Sequence, residues 1–359
     1  MLNIALTFDY ELFFGENYGS DDEILFAPTQ RLLDVMDARG IKGTFFVDVL
    51  SVYMHEQYGL TDYCKKFIAQ IQQMIRAGHD VQLHIHSNWL CSEWRDGQWV
   101  FDTESYRLHT FGFDTNKAWS VSSIVAWGKT FLETHLKAVN PQYACVAYRA
   151  GGYCIQPHTD LFEALNQNGI WIDSSVAVQQ KGHGINVYDY TAIPVDRTGW
   201  WVNNKEALEK MVPAEQGQTF ELPIGCVANS LVRRILSPET ERNLKLGKLR
   251  GTYIGKTVAS TPKKRTNRLK LLLTYINGKR MLSCDYLHYC AIKRALLKLE
   301  KSGKKTGYVA VIGHPKLIND VWLQNMNALL QACAGDKHIR FTTVADIGRE
   351  LRSSATDSV

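Results

Sequence analysis

The stretch LNIALTFDYE, residues 2–11, is largely apolar at first and closes on two carboxylates. It reads as a strand over Asn3–Phe8. Side chains alternate along a strand, so Asp9 and Glu11 share one face and Tyr10 takes the other. Two carboxylates side by side repel when both are charged, and a nearby cation relieves this. If one of them binds metal, the other can remain free as a base. Because Gly15 and Asn17 mark a loop just beyond, a helix cap or solvated turn is the alternative.

Downstream, further strands are predicted over Lys42–Val49, Asp80–His86, Cys145–Ala150, Ile170–Ser174, Gln218–Pro223, Tyr308–Gly313 and Ile339–Thr343. Helices are predicted between them over Pro28–Arg39, Tyr63–Ala77, Ala118–Lys137, Thr159–Asn168 and Asp320–Cys333, with one more at the end. This alternation is that of βα units around a parallel sheet, hence an α/β class chain. The aromatic stretch Ser87–Phe113 has no clear period and reads as a large loop.

Polar residues gather at the carboxyl ends of these strands, where a parallel barrel builds its active site. One strand ends LHIH (83–86), another YRAGGY (148–153) and a third GHP (313–315). His84 and His86 are two apart and project from the same face, so both imidazoles can reach one ion. An isolated HxH is more often a hydrogen-bonded or surface pair. Here an acid and a further histidine, His314, end other strands, which favours a metal site.

The 359 residues are 45% hydrophobic and 21% charged, ordinary for a globular enzyme. Eight scattered cysteines suggest neither a disulfide framework nor a zinc ribbon. With no signal core and no apolar run of ~20 residues, a cytoplasmic setting is expected. The net charge of +5 is uneven, because residues 233–305 hold 20 Lys/Arg against 4 Asp/Glu. We therefore expect a single domain over 1–359 with a basic insertion or lobe at 230–305. Within it Lys263, Lys264, Arg265, Arg268 and Lys270 adjoin Leu271–Leu273. Such interleaving suits an anionic membrane face or a lipid-linked sugar phosphate, which would place the protein at the inner face of the membrane; anionic polysaccharide and a merely solvated basic surface are the alternatives. No nucleic-acid motif is recognisable there.

Taken in order, LTFDYELFFG, KGTFFVDV, GHDVQLHIH, YRAGGY, IDSSV and VIGHP resemble the successive motifs of carbohydrate esterase family 4, the polysaccharide deacetylases with a NodB-homology domain. The resemblance spans residues 2–176 and 306–345, in the variant with FDxE and QLHxH motifs. It implies a distorted, incomplete (β/α) barrel of seven strands and a metal-dependent deacetylase. The family's base falls on Asp9, and its metal-binding acid would fall on Tyr10, so that role moves to Glu11. Its two histidine ligands fall on His84 and, because Asn88 holds the usual second place, on His86. Arg149 matches the arginine that braces the base, Asp173 the acid that tunes that arginine, and His314 the general acid. An oxyanion-binding amide is expected near Gly152 or Tyr153, and Trp89 opens an aromatic loop suited to stacking on sugar.

The implied cofactor is a divalent ion, by default Zn²⁺, with Co²⁺, Ni²⁺ or Mn²⁺ compatible with the same donors. The expected reaction removes an acetyl group from an amino sugar or glycan precursor. The alternatives are an allantoinase-like amidohydrolase of a small C–N substrate and an inactive carbohydrate-binding relative.

Overall fold

The computed structural model describes residues 1–14, 19–113, 116–228, 278–284 and 289–356. Seven parallel strands form its frame among these residues: β1 (Leu2–Tyr10), β2 (Thr44–Asp48), β3 (Asp80–Ile85), β4 (Ala147–Ala150), β5 (Ile172–Asp173), β6 (Thr219–Glu221) and β7 (Gly307–Gly313). They are hydrogen-bonded in the order β7-β1-β2-β3-β4-β5-β6. Ile224, just past β6, bridges Ala177 on one side and Ala310 of β7 on the other. The ring therefore meets through single-residue bridges where a full barrel has a ladder, and the fold is the expected distorted, incomplete (β/α) barrel. Strand Trp200–Val202 runs antiparallel along β6, and Ile339–Thr342 pairs in parallel with the first half of β1.

Alternation along the strands builds two cores. Leu2, Ile4, Leu6, Phe8 and Tyr10 of β1 face the helices together with Phe45, Val47, Val81, Leu83, Val309 and Val311. Tyr10 is fixed there by its hydroxyl, which donates to Gln70 at 2.7 Å. The opposite faces point into the ring, where Ala5, Phe46, Ala147, Ile172, Phe220 and Ala310 form a separate apolar layer. The amino end of the ring is closed by the helix Val344–Thr356, whose Val344 and Ile347 join that layer. Its first amides donate to Thr44 and Asp80, 2.9 and 3.0 Å away. The carboxyl end is left for polar residues.

The long loop over Ser87–Phe113 is more ordered than expected. It contains a short helical turn, Ser87–Cys91, and a hairpin pairing Glu93–Arg95 with Gln98–Val100. Asp96 and Gly97 both have positive φ at its turn, the conformation that an Asp-Gly pair favours. A helix over Val49–Gln57 was also not anticipated, because it follows strand β2 directly, with Asp48 at once the last residue of the strand and the N-cap of the helix. Part of the interval 230–305 packs with the barrel: Leu282, Cys284, Ile292, Leu296 and Leu299 all belong to the main core. Residues 229–277, including Lys263–Leu273 on which the membrane expectation rests, lie outside the described residues. No helix among the described residues is long and apolar enough to cross a membrane.

Candidate active site

Register brings the inward polar residues together. Asp9 lies opposite Phe46, Asp48 opposite His84, and His84 opposite Arg149. Two residues beyond Asp9, Glu11 thus reaches the level of the histidines, above the floor made by Phe46.

Glu11, His84 and His86 are all buried, and their ligand atoms lie within 4.8 Å of one another. They are the one such group of metal-ligating type among the described residues. Oε2 of Glu11 is 2.5 Å from Nε2 of His86 and 3.2 Å from Nε2 of His84. Nδ1 of His84 faces the Arg149 carbonyl at 2.8 Å and donates to it, so Nε2 is the nitrogen on the Glu11 side, the one that would offer its lone pair to an ion. A nitrogen, nitrogen, oxygen set with this tautomer fits a zinc-type ion. Asn88 does not join it; its Nδ2 donates to the Asp102 carbonyl at 3.3 Å.

Charge is concentrated here. Burial works to raise the Glu11 carboxyl, but the Lys316 and His86 charges and hydrogen bonds from both histidines hold it well below its usual range. Burial likewise works against a charged His84, yet its bond to Glu11 and the charges of Asp9, Glu11 and Asp48 push it up to about 9. A bound ion would replace the protons that this imidazole otherwise attracts.

Asp9 is held differently. Its Oδ1 accepts from Nη1 of the fully buried Arg149 at 2.7 Å, and the guanidinium lies 4.2 Å over the Phe46 ring. Three further guanidinium hydrogens go to Thr7 Oγ1, Ser174 Oγ and the Ser174 carbonyl, at 2.8–2.9 Å. The other oxygen of Asp9 faces the open side, where Nε2 of His314 stands 3.6 Å away and 3.7 Å from Glu11. The imidazole of His314 is about one-fifth exposed.

Two expected residues sit elsewhere. Asp173 makes no hydrogen bond to Arg149. Its carboxylate accepts from the Ser175 amide and hydroxyl, at 3.0 and 2.7 Å, and bonds to Glu221. β5 turns Asp173 toward β6, and Ser174 takes the place beside the guanidinium. Trp89 is wholly buried, so it has no face for substrate; its Nε1 donates to Asp48 Oδ2 at 2.6 Å. Gly152 and Tyr153 do lie at the rim, in a turn where both have positive φ. A Cβ on the preceding Gly151 would fall 2.7 Å from the Ile85 carbonyl and 2.8 Å from His86 Nδ1, so only glycine lets this turn approach the histidine.

Sequence reading missed three ionisable residues. Lys316, two after His314, places Nζ 2.8 Å from Glu11 Oε1 and 3.0 Å from the Leu12 carbonyl. Asp48 accepts from the His86 amide at 3.2 Å as well as from Trp89, tying the end of β2 to the turn after β3. Glu221 is buried against Asp173; burial, then the charge and hydrogen bond of Asp173, raise its carboxyl well above its usual range, which favours its protonated form. Asp48 had a signal, as the one charge late in the strand KGTFFVDV. Lys316 and Glu221 had none beyond adjacency to a motif or strand.

No protein-family model matches the chain, and no curated protein does. Solved structures similar to it include the Puue allantoinase, at 13% identity over 98% of this chain and 90% of that one, with a TM-score of 0.49. A provisionally named polysaccharide deacetylase from Mycobacterium smegmatis matches at 16% over 99% and 91%, TM-score 0.48. A probable polysaccharide deacetylase from Pseudomonas aeruginosa PAO1 matches at 12% over 97% and 90%, TM-score 0.46.

Proposed function

We propose that the chain is a metal-dependent hydrolase that removes an acetyl group from an amino sugar or a glycan precursor. The observation that carries this reading is the meeting of two separate devices at one strand-end surface. One is the Glu11–His84–His86 ligand group, and the other is Asp9 braced by Arg149 with His314 across from it. The order of the motifs supports the same reading.

A divalent ion on the first group, by preference zinc, would polarise an acyl oxygen and lower the pKa of a water. The protein's own groups divide the proton traffic. Arg149 uses one N–H on Asp9 and three on the barrel wall, so the carboxylate is fixed and its second oxygen stays open to take a proton. His314, partly exposed on the other side, is placed to protonate the departing nitrogen or oxygen. An amide requires that step, because an amide anion is a very poor leaving group. Lys316 takes one oxygen of Glu11 and leaves the other for the ion. The turn at Gly152 and Tyr153 supplies the amide for the developing oxyanion.

The test is acetate release from N-acetylated oligosaccharides by protein stripped of metal and then reloaded with zinc. Release that depends on metal and disappears in Asp9→Asn supports the reading. No release by protein holding stoichiometric metal refutes it.

A further inference from the structure

Beside the metal-ligand group lies a cavity of about 440 Å³, whose wall includes Phe13, Asp21, Asp62, Trp94, Trp99 and Phe101. One aromatic layer separates it from the centre. The Phe14 ring is 4.4 Å from His86, and Phe101 is 5.1 Å from Phe14. The wall is built rather than incidental. The Trp99 indole donates to Nε2 of the buried His55 at 3.2 Å, and His55 stacks on Tyr63 at 3.8 Å. Burial pushes His55 down to about 4, so it is neutral, with Nδ1 donating to the Ser51 carbonyl at 2.6 Å and Nε2 accepting from Trp99.

The charges in this wall are all negative among the described residues. Among the described residues no lysine or arginine lines the cavity. Asp21 is half-buried, and its side chain does not cap the helical turn that follows it. Lys66, whose charge also acts on Asp21, is bonded to Asp22 at 2.6 Å. A partly desolvated carboxylate without a hydrogen-bond donor is costly, and a cationic ligand would remove that cost. The indoles of Trp94 and Trp99 in the same wall favour the same kind of ligand, since a cation over a ring gains from the ring quadrupole. An anionic sugar or a phosphate would be repelled.

We propose that this cavity binds the protonated amine of an amino-sugar unit belonging to the same glycan as the acetylated unit at the metal centre. The inference rests on the deacetylase reading, and it adds that the protein recognises chains already carrying free amines. Partly deacetylated chains would then be held better than fully acetylated ones, and each turnover would create a better ligand for the next.

The test is tryptophan fluorescence and calorimetric binding with the zinc-loaded full chain. The probes are the tetramer of β-1,4-linked glucosamine and the same tetramer fully N-acetylated. We expect the free-amine tetramer to bind about 10-fold tighter, the scale of one desolvated cation–aromatic contact with its ion pair. Asp21→Asn, nearly isosteric at a half-exposed position, should bring the two within about 2-fold, and Trp94→Ala should weaken both. Equal affinities in the unmodified protein, or a preference that survives Asp21→Asn, would overturn the proposal. Acetate release is scored separately. Its absence alongside an Asp21-dependent amine preference counts against the deacetylase reading alone, and its presence without that preference counts against this cavity assignment alone.

Discussion

The buried pair Arg149–Asp9 should be coupled strongly enough to measure as a free energy. Both side chains are enclosed, with 0% and 3% exposure, and the charged atoms are 2.7 Å apart. Arg149→Met removes the donor to Asp9 and leaves a carboxylate buried without its partner. Thr7 and Ser174 keep hydrogen bonds to the Val311 and Leu222 carbonyls, so most of the cost falls on Asp9. Breaking such a pair from one side costs about 3–5 kcal/mol. Asp9→Asn leaves the guanidinium with three partners and an amide oxygen in place of the fourth, and should cost about 1–3 kcal/mol. The double variant buries neither charge. Its loss should fall short of the sum of the single losses by about 2 kcal/mol. Urea unfolding at neutral pH, on chelator-treated protein so that metal affinity does not enter, measures all three against the parent chain. Losses that add to within about 0.5 kcal/mol would refute the claim that Arg149 and Asp9 form one electrostatic unit.

Three further outcomes are expected. His84→Ala and His86→Ala should each fold but fail to retain zinc at equimolar metal by elemental analysis; full occupancy in His86→Ala would move that ligand elsewhere. Asp9→Asn should keep the metal and lose about 10²–10⁴-fold in turnover, whereas Glu11→Gln should lose metal first, so the opposite pattern in paired metal and rate measurements exchanges their roles. Glu221 has a folded pKa above its unfolded one, so the stability it contributes is complete below about pH 4.5 and is lost as pH rises through the raised value. Glu221→Gln, which keeps a donor for Asp173 but cannot ionise, should therefore gain stability relative to the parent as pH rises from 4 to 8, and parallel urea midpoints across that range would count against a proton held there.

How much of this was legible in the sequence depends on whether a feature is carried by one strand or by two. Period-two alternation belongs to a single strand, so the inward faces of β1 and β3, with Asp9, Glu11, His84 and His86 upon them, could be read directly. The hairpin after Trp89 was legible too, since Asp96-Gly97 is its turn signal; the surrounding aromatics obscured it. What a lone strand cannot carry is register. Asp9 and Glu11 are chemically alike and share a face, and nothing local says which one meets the imidazoles. Pairing decides it. Phe46 lies opposite Asp9, and Asp48, two further along, lies opposite His84, so the level of the histidines is that of Glu11. Arg149 reaches down from that level to Asp9 and neutralises it. One carboxylate is thereby committed to a guanidinium and the other left for the histidines and Lys316. Asp173 shows the same dependence from the other side. Its place in the motif order suggested a partner for Arg149, but the neighbour across the sheet is Glu221, and two facing carboxyls share a proton before either turns to a more distant cation.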